Sequence, residues 1–498
     1  MMDHLIIAPV VLPAVLAGVT VLFARHDLRL QRGLTLAGTL AFVALTLWLA
    51  GHSARPEAYR LGNWPAPFGI VLMLDGLSGL MLGLLGLLSL PVLLYAIGSG
   101  WDAKGRHFHA LYLFQLMGLS GAFLTADAFN LFVFFEVLLI ASYGLMVHGG
   151  GDARLRAGLQ YVVTNLVGST LFLFALATLY AVTGTLNMAD LAVKWPLLPP
   201  GDQALARVAA GLLLLVFAVK GALVPLQFWL PGTYGNAPGP VAALFAVMTK
   251  VGAYAALRLG TLVFDQGPTA GMWQALLWPA ALATLALGAL GALGARGLSR
   301  VAAFTAIGSM GTVFLALSAG GAAATTATLY YMMHSTLAGA ALFLIADLVL
   351  RRRGSDRLDR PHPPIAQEGL IAAFFMTAAI AIAGLPPLSG FLGKLLVLQA
   401  LAGDAALAWS AILTASFLTL LALARAGSAL FWRSHAGGQE PAPHPPEPLA
   451  LAATGLLLAG LVAMTLVAGP LTGWLGGVAE GLLNPADYIL ATGLQEVK

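Results

Sequence analysis

Runs of apolar residues long enough to cross a bilayer follow one another along almost the whole chain. A membrane helix needs about 20 mainly apolar residues, and about fourteen stretches reach that length. They lie near 5–24, 33–51, 69–98, 108–126, 129–148, 156–182, 205–224, 238–262, 272–294, 300–319, 325–350, 367–402, 405–432 and 449–475. Only 9% of the 498 residues are charged, against about 25% in a soluble domain. A soluble fold of this length cannot hide 59% hydrophobic residues; a bilayer can. The sequence predicts an all-α integral membrane protein, a single polytopic membrane domain over 1–498. The longest polar connections, 351–364 and 433–447, are loops rather than domains. The first stretch reads as a retained span, because residues 1–4 lack a basic segment and Arg25, Arg29 and Arg32 follow it.

Composition also excludes several functions. The chain has no cysteine, which removes disulfides, iron–sulfur clusters and thiolate metal sites together. Its ten histidines are scattered, and His362, His435 and His444 fall in polar loops. No metal site, cofactor or nucleic-acid partner is expected. The net charge of +4 comes from loop arginines.

Those arginines set an orientation by the positive-inside rule. With both termini on the periplasmic side, Arg25, Arg29, Arg32, Lys104, Arg106, Arg154, Arg156, Arg296, Arg300, Arg351, Arg352, Arg353, Arg357, Arg360 and Arg433 face the cytoplasm. The other side keeps Arg55, Arg60, Lys194, Arg207 and Lys498, with Arg258 near its edge.

Two spans look interrupted. One carries Val219-Lys220-Gly221-Ala222-Leu223-Val224-Pro225; the other carries Gly384-Leu385-Pro386-Pro387-Leu388-Ser389-Gly390. Proline removes a backbone donor and clashes with the preceding turn. In lipid the freed carbonyls must find partners, so broken helices occur inside protein or along a wet cavity. One such break in each half of the chain points to inverted repeats with the working site between them.

Ionisable residues interrupt the apolar pattern: Glu136, Lys220, Lys250, His334 and Lys394. A charge at mid-bilayer costs at least about 2.5–3.5 kcal/mol on insertion scales. Asp75, Asp127 and Asp347 lie nearer span ends, where capping or snorkelling accounts for them, and Arg425 reads as a structural counter-ion. Burial weakens a lysine's hold on its proton, and a neighbouring carboxylate strengthens it. A lysine between those pulls can load and release a proton. Histidine, closest of all side chains to neutrality in its titration, can pass one onward through water. The proposed order is Glu136, Lys220, Lys250, His334, Lys394.

The residues around these positions resemble the antiporter-like subunits shared by respiratory complex I, membrane-bound hydrogenases and Mrp-type multisubunit cation/proton antiporters. Asn130-Leu131-Phe132-Val133-Phe134-Phe135-Glu136-Val137, the run from Val219 through Trp229-Leu230-Pro231, Ala237-Pro238-Gly239-Pro240, Lys250-Val251-Gly252-Ala253-Tyr254 and Gly384 through Phe391 carry the resemblance. It implies about 14 transmembrane helices, with two inverted five-helix repeats at 108–262 and 272–432, two discontinuous helices, and flanking helices at 5–98 and 449–475. It implies that Glu136 and Lys220 form the glutamate–lysine pair, Lys250 the central lysine, His334 a connecting residue and Lys394 the terminal one.

Phe135-Glu136-Val137-Leu138-Leu139-Ile140-Ala141-Ser142-Tyr143 and Thr183-Gly184-Thr185-Leu186-Asn187-Met188 look like the D-type subunits of Mrp antiporters. That branch implies a secondary transporter rather than an enzyme, in a bacterial inner membrane. It would work with A, B, C, E, F and G type subunits to exchange H+ for Na+ or K+. The alternative is a proton-pumping subunit of complex I or a hydrogenase. A membrane scaffold, the third class, predicts that replacing Lys220 and Glu136 leaves transport intact. Two departures stand out. Gly232-Thr233-Tyr234-Gly235-Asn236 replaces an Asp-Ala-His-Ser type run, and Ala338-Gly339 stands where many relatives carry a lysine. The second requires water to complete the His334 link.

Overall fold

The computed structural model describes residues 3–360, 363–434 and 444–494. His362, His435 and Lys498 lie outside the described residues. Of the loop histidines, His444 is described, and it lies in an irregular segment ahead of a helix.

The chain is a bundle of helices. On the N-terminal side stand α1 (Asp3–Phe23), α2 (Leu28–Gly51), α3 (Gly76–Gly98), α4 (Phe108–Leu124), α5 (Ala128–Met146) and α6 (Asp152–Thr183). There follow the short α7 (Met188–Lys194), α8 (Gln203–Gly221), the short α9 (Trp229–Tyr234), α10 (Gly239–Phe245) and α11 (Met248–Leu259). The second half comprises α12 (Met272–Gly294), α13 (Leu298–Ala319), α14 (Gly321–Arg353), α15 (Glu368–Ala383), α16 (Ser389–Ala400) and α17 (Ala405–Gly427). The chain closes with α18 (Pro448–Leu466), α19 (Ala468–Leu483) and α20 (Ala486–Ala491).

Among the described residues, 12 helices are long and apolar enough to cross a membrane. The other two expected spans are α4, at 17 residues, and the broken pair α15–α16. Each expected apolar stretch thus has its helix or helix pair. The ends follow local chemistry. Asp27, Asp75 and Asp127 accept backbone N–H groups at the starts of α2, α3 and α5, which satisfies donors that a helix start leaves free. The capping expected of Asp127 is therefore present.

Two boundaries differ from the sequence reading. The third stretch opens not as helix but as strand β2 (Val71–Leu74), antiparallel to β1 (Glu57–Arg60). Asp75 forces this: its carboxylate and Ser78 form a reciprocal cap that starts α3 one residue later. The last stretch is two helices, α18 and α19, with the chain turning at Val467 just before Gly469 and Pro470.

Burial separates core from rim. Taking an 18-residue apolar window from each, all of the Gly239–Phe264 window and 94% of the α14 window are buried, whereas α1 and α2 reach 33% and the α17 span 28%. The spans carrying Lys250 and His334 are therefore the core. Gly252 explains how α11 gets there. A Cβ at this position would lie 2.7 Å from the Gly221 nitrogen and the Phe217 carbonyl, so only glycine lets α11 cross α8 at its broken end.

Candidate functional site

Both breaks are present, and both are repaired by side chains. α8 ends at Gly221, with Ala222 in the left-handed region (φ 54°). The Val219 carbonyl accepts the Trp229 indole N–H at 3.1 Å, and the Val224 N–H donates to Thr284 Oγ1 at 2.9 Å. At the second break α15 stops at Ala383, with Gly384 left-handed (φ 81°). Here the Lys394 amine reaches back from α16. Its Nζ donates to the Ile382 and Ala383 carbonyls at 3.2 and 2.8 Å and to Ser416 Oγ at 2.8 Å. An ammonium has three N–H donors, and all three are used.

Lys220, the penultimate residue of α8, is 8% exposed. Its Nζ donates to Asn165 Oδ1 on α6 at 2.7 Å and stands 5.7 Å from the centre of the Phe135 ring. One turn further along α6, Ser169 Oγ donates to Glu136 Oε1 on α5. The implied Glu136–Lys220 pair is therefore not a direct ion pair. The two groups are instead held by separate residues on one face of α6, since residues four apart share a face. The sequence reading does not reach Asn165 and Ser169; their i, i+4 spacing, in a stretch that also holds Gln160, Thr164 and Thr170, is the available signal.

Lys250 on α11 is 1% exposed, and its amine makes no hydrogen bond or ion pair among the described residues. His334 on α14, also 1% exposed, bonds through Nδ1 to Ser389 Oγ at 2.9 Å, at the start of α16. Gly390 permits this contact: a Cβ there would run into the Ala381 carbonyl and lie 2.9 Å from His334 Cε1.

Between His334 and Lys394 lies a cavity lined by Thr312, Tyr331, Ser335, Ala338, Gly339 and Ser416. Its space for water-molecule centres is about 40 Å³, against about 10–15 Å³ for one water. The gap that Ala338 and Gly339 leave beside His334 is thus polar-lined and roomy enough for water. Lys220, Lys250 and His334 are buried, while Glu136 and Lys394 are half-buried.

The remaining membrane charges have other settings. Asp75 does more than cap. Both its oxygens accept from Arg258, at 2.5 and 2.6 Å, and Arg258 is 3% exposed rather than at an edge. Asp347 is 4% exposed and accepts from Tyr95 Oη at 2.7 Å and Trp101 Nε1 at 2.9 Å. The snorkelling read for it fails because α14 runs on to Arg353 and keeps it inside. Arg425 is not a counter-ion to an acid among the described residues; it donates to the Ala295 carbonyl at 2.6 Å. Several arginines read as loop charges also bind inside the structure: Arg32 holds Asp102, and Arg351 and Arg352 hold Glu447.

Fold and site together define a polytopic membrane protein whose interior holds lysines and a histidine without counter-ions among the described residues. The transmembrane family of NADH:quinone oxidoreductase and Mrp antiporter proteins matches residues 125–421, and the chain belongs to it. The D-type subunit of the probable K(+)/H(+) antiporter of Rhizobium meliloti (strain 1021) is 38% identical, over 98% of this chain and 97% of its own. The D-type subunit of the Na(+)/H(+) antiporter of Bacillus subtilis (strain 168) is 36% identical over 98% and 99%. A chain in the solved Mrp complex from Dietzia sp. DQ12-45-1b superposes with a TM-score of 0.89 at 28% identity, covering 99% of both chains. The resemblance to the D-type branch is borne out by these relatives.

Proposed function

We propose that this chain is the proton-translocating subunit of a multisubunit monovalent cation/proton antiporter. Protons move along Glu136, Lys220, Lys250, His334 and Lys394. The observation that carries the reading is the lack of counter-ions. Among the described residues no carboxylate lies within ion-pair distance of Lys220, Lys250 or Lys394. A structural salt bridge is the bland explanation for a buried lysine, and it needs a partner acid. Unpaired amines at membrane depth are costly and mark ion or proton routes.

The rest follows from the family. The relatives' names support antiport with K+ or Na+, so the cation class is monovalent, and no described group of His, Asp or Glu is arranged to hold a metal ion. The chain is a transporter subunit, not an enzyme by itself, and it works with the other subunits of an Mrp-type complex. We place it in a bacterial inner membrane, with the arginine-rich connections cytoplasmic and the termini periplasmic. Residues 108–262 and 272–432 serve as two inverted repeats, each with one broken helix. A redox-driven pump of the complex I type would use the same groups; the full-length likeness to the D-type antiporter proteins favours the antiporter.

Lys220→Ala tests the reading. In everted vesicles carrying the whole complex, cation/proton exchange should fall to the level of vesicles without it, at equal amounts of assembled complex. Unchanged exchange would dispose of the route. Asn165→Leu should slow exchange by at least about tenfold, because a hydrogen bond to a charged group is worth about 1.5–3 kcal/mol. A normal rate in this variant would remove Asn165 from the route while leaving Lys220 in it.

A further inference from the structure

Asp347 is a buried acid that the lysine row leaves unused. It forms part of the wall of a vestibule whose other lining residues include Asp152, Arg154, Asn236, Ala242 and Asp356. Gly151, Asp152 and Ala153 at its rim are exposed, so it reaches the surface of the arginine-rich side. Its space for water-molecule centres is about 390 Å³, far above the roughly 10–15 Å³ that one water needs.

The carboxylate is held by two neutral donors, the Tyr95 hydroxyl and the Trp101 indole N–H. No cation lies within ion-pair distance of it among the described residues. Arg351, one turn away on the same helix, is taken by Glu447. Lys104 and Arg154 lie over the Trp101 ring, 3.6 and 5.1 Å from its centre, while the acid sits at the indole's Nε1 edge. The charged and titratable groups around Asp347 are Tyr95 from α3, Lys104 and Arg154 over the Trp101 ring, Arg351 with Glu447, and Asp152 and Asp356 in the vestibule lining. If Asp347 only anchored Tyr95 and Trp101, an asparagine would accept the same hydrogen bonds without a charge. A lone carboxylate at the edge of a wet space is equipped to exchange protons with it.

The vestibule also points at the row. Asp347 and His334 share α14, thirteen residues apart, about 20 Å at 1.5 Å per residue. Ala242 in the vestibule wall is eight residues before Lys250 in the same span, about 12 Å along it. We propose that Asp347 is a proton-relay residue: it takes a proton from vestibule water and hands it to water leading to Lys250 and His334. The vestibule is then the route between the cytoplasmic side and the lysines. This inference rests on the proton route proposed above.

The test uses the whole complex in everted vesicles, with Asp347→Asn, Asp347→Glu and Lys220→Ala side by side, exchange being followed across pH. Asp347→Asn should lower the rate by about a hundredfold and displace its pH profile. Asp347→Glu should recover most of the rate, with the complex assembled in both. A normal rate and profile in Asp347→Asn would overturn the proposal. So would equal loss in Asp347→Glu together with loss of assembled complex, which marks a structural acid. Inactive Lys220→Ala beside normal Asp347→Asn removes Asp347 alone. Exchange that survives Lys220→Ala removes the lysine route, and this proposal with it.

Discussion

Lys250→Met should abolish cation/proton exchange and leave the assembled complex at least as stable as before. The two halves of that expectation come from one fact: the Lys250 amine touches no acceptor. Removing it strands no donor or acceptor, and methionine keeps the length and flexibility of the side chain. An insertion penalty of at least about 2.5–3.5 kcal/mol for a mid-membrane charge disappears with it. The heat-denaturation midpoint of the purified complex should hold or rise, while exchange in vesicles should vanish. A variant that loses both together would mean that Lys250 is a structural element. A variant that keeps exchange would remove the centre of the row.

The opposite separation is expected at Asp75. Asp75→Ala leaves Arg258 buried with no acid, and breaking one side of a buried pair costs about 3–5 kcal/mol. The capping box that starts α3 is lost as well, adding about 1 kcal/mol. The yield of assembled complex and its denaturation midpoint should fall together, and the exchange rate per assembled complex should stay near normal. Asp75→Leu combined with Arg258→Met should recover much of the stability, because apolar residues of similar volume often replace a buried pair without loss. A double variant as unstable as Asp75→Ala would show that the pair does more than hold α3 against α11.

These two sites also mark what the sequence can and cannot disclose. Spans are legible because lipid demands long apolar runs, and every expected stretch has its helix or helix pair. Lys220, Lys250, His334 and Lys394 stand out because charge is rare in such runs. Partnership is another matter. Asp75 and Arg258 are 183 positions apart, and nothing local in either tells that they meet. Asn165 and Ser169 escape notice because neutral polar residues are common in membrane helices and cost little there. Asp347 misleads because nearness to the end of an apolar stretch is no measure of depth; α14 is 33 residues long and carries its regular structure past the arginines. The hairpin Glu57–Arg60 with Val71–Leu74 is hidden for the reverse reason, since Val71–Leu74 is wholly buried and reads as the start of a span.

The second break has a mechanical corollary. A protonated amine can serve two main-chain oxygens and the Ser416 hydroxyl at once; a neutral one has only two hydrogens to give. On the proposed route, when Lys394 gives up its proton the Ser416 hydroxyl has to turn and donate to the amine, or one of the two carbonyls has to find water instead. The end of α15 would then register occupancy of the last amine on that route, its contacts rearranging as the position fills and empties.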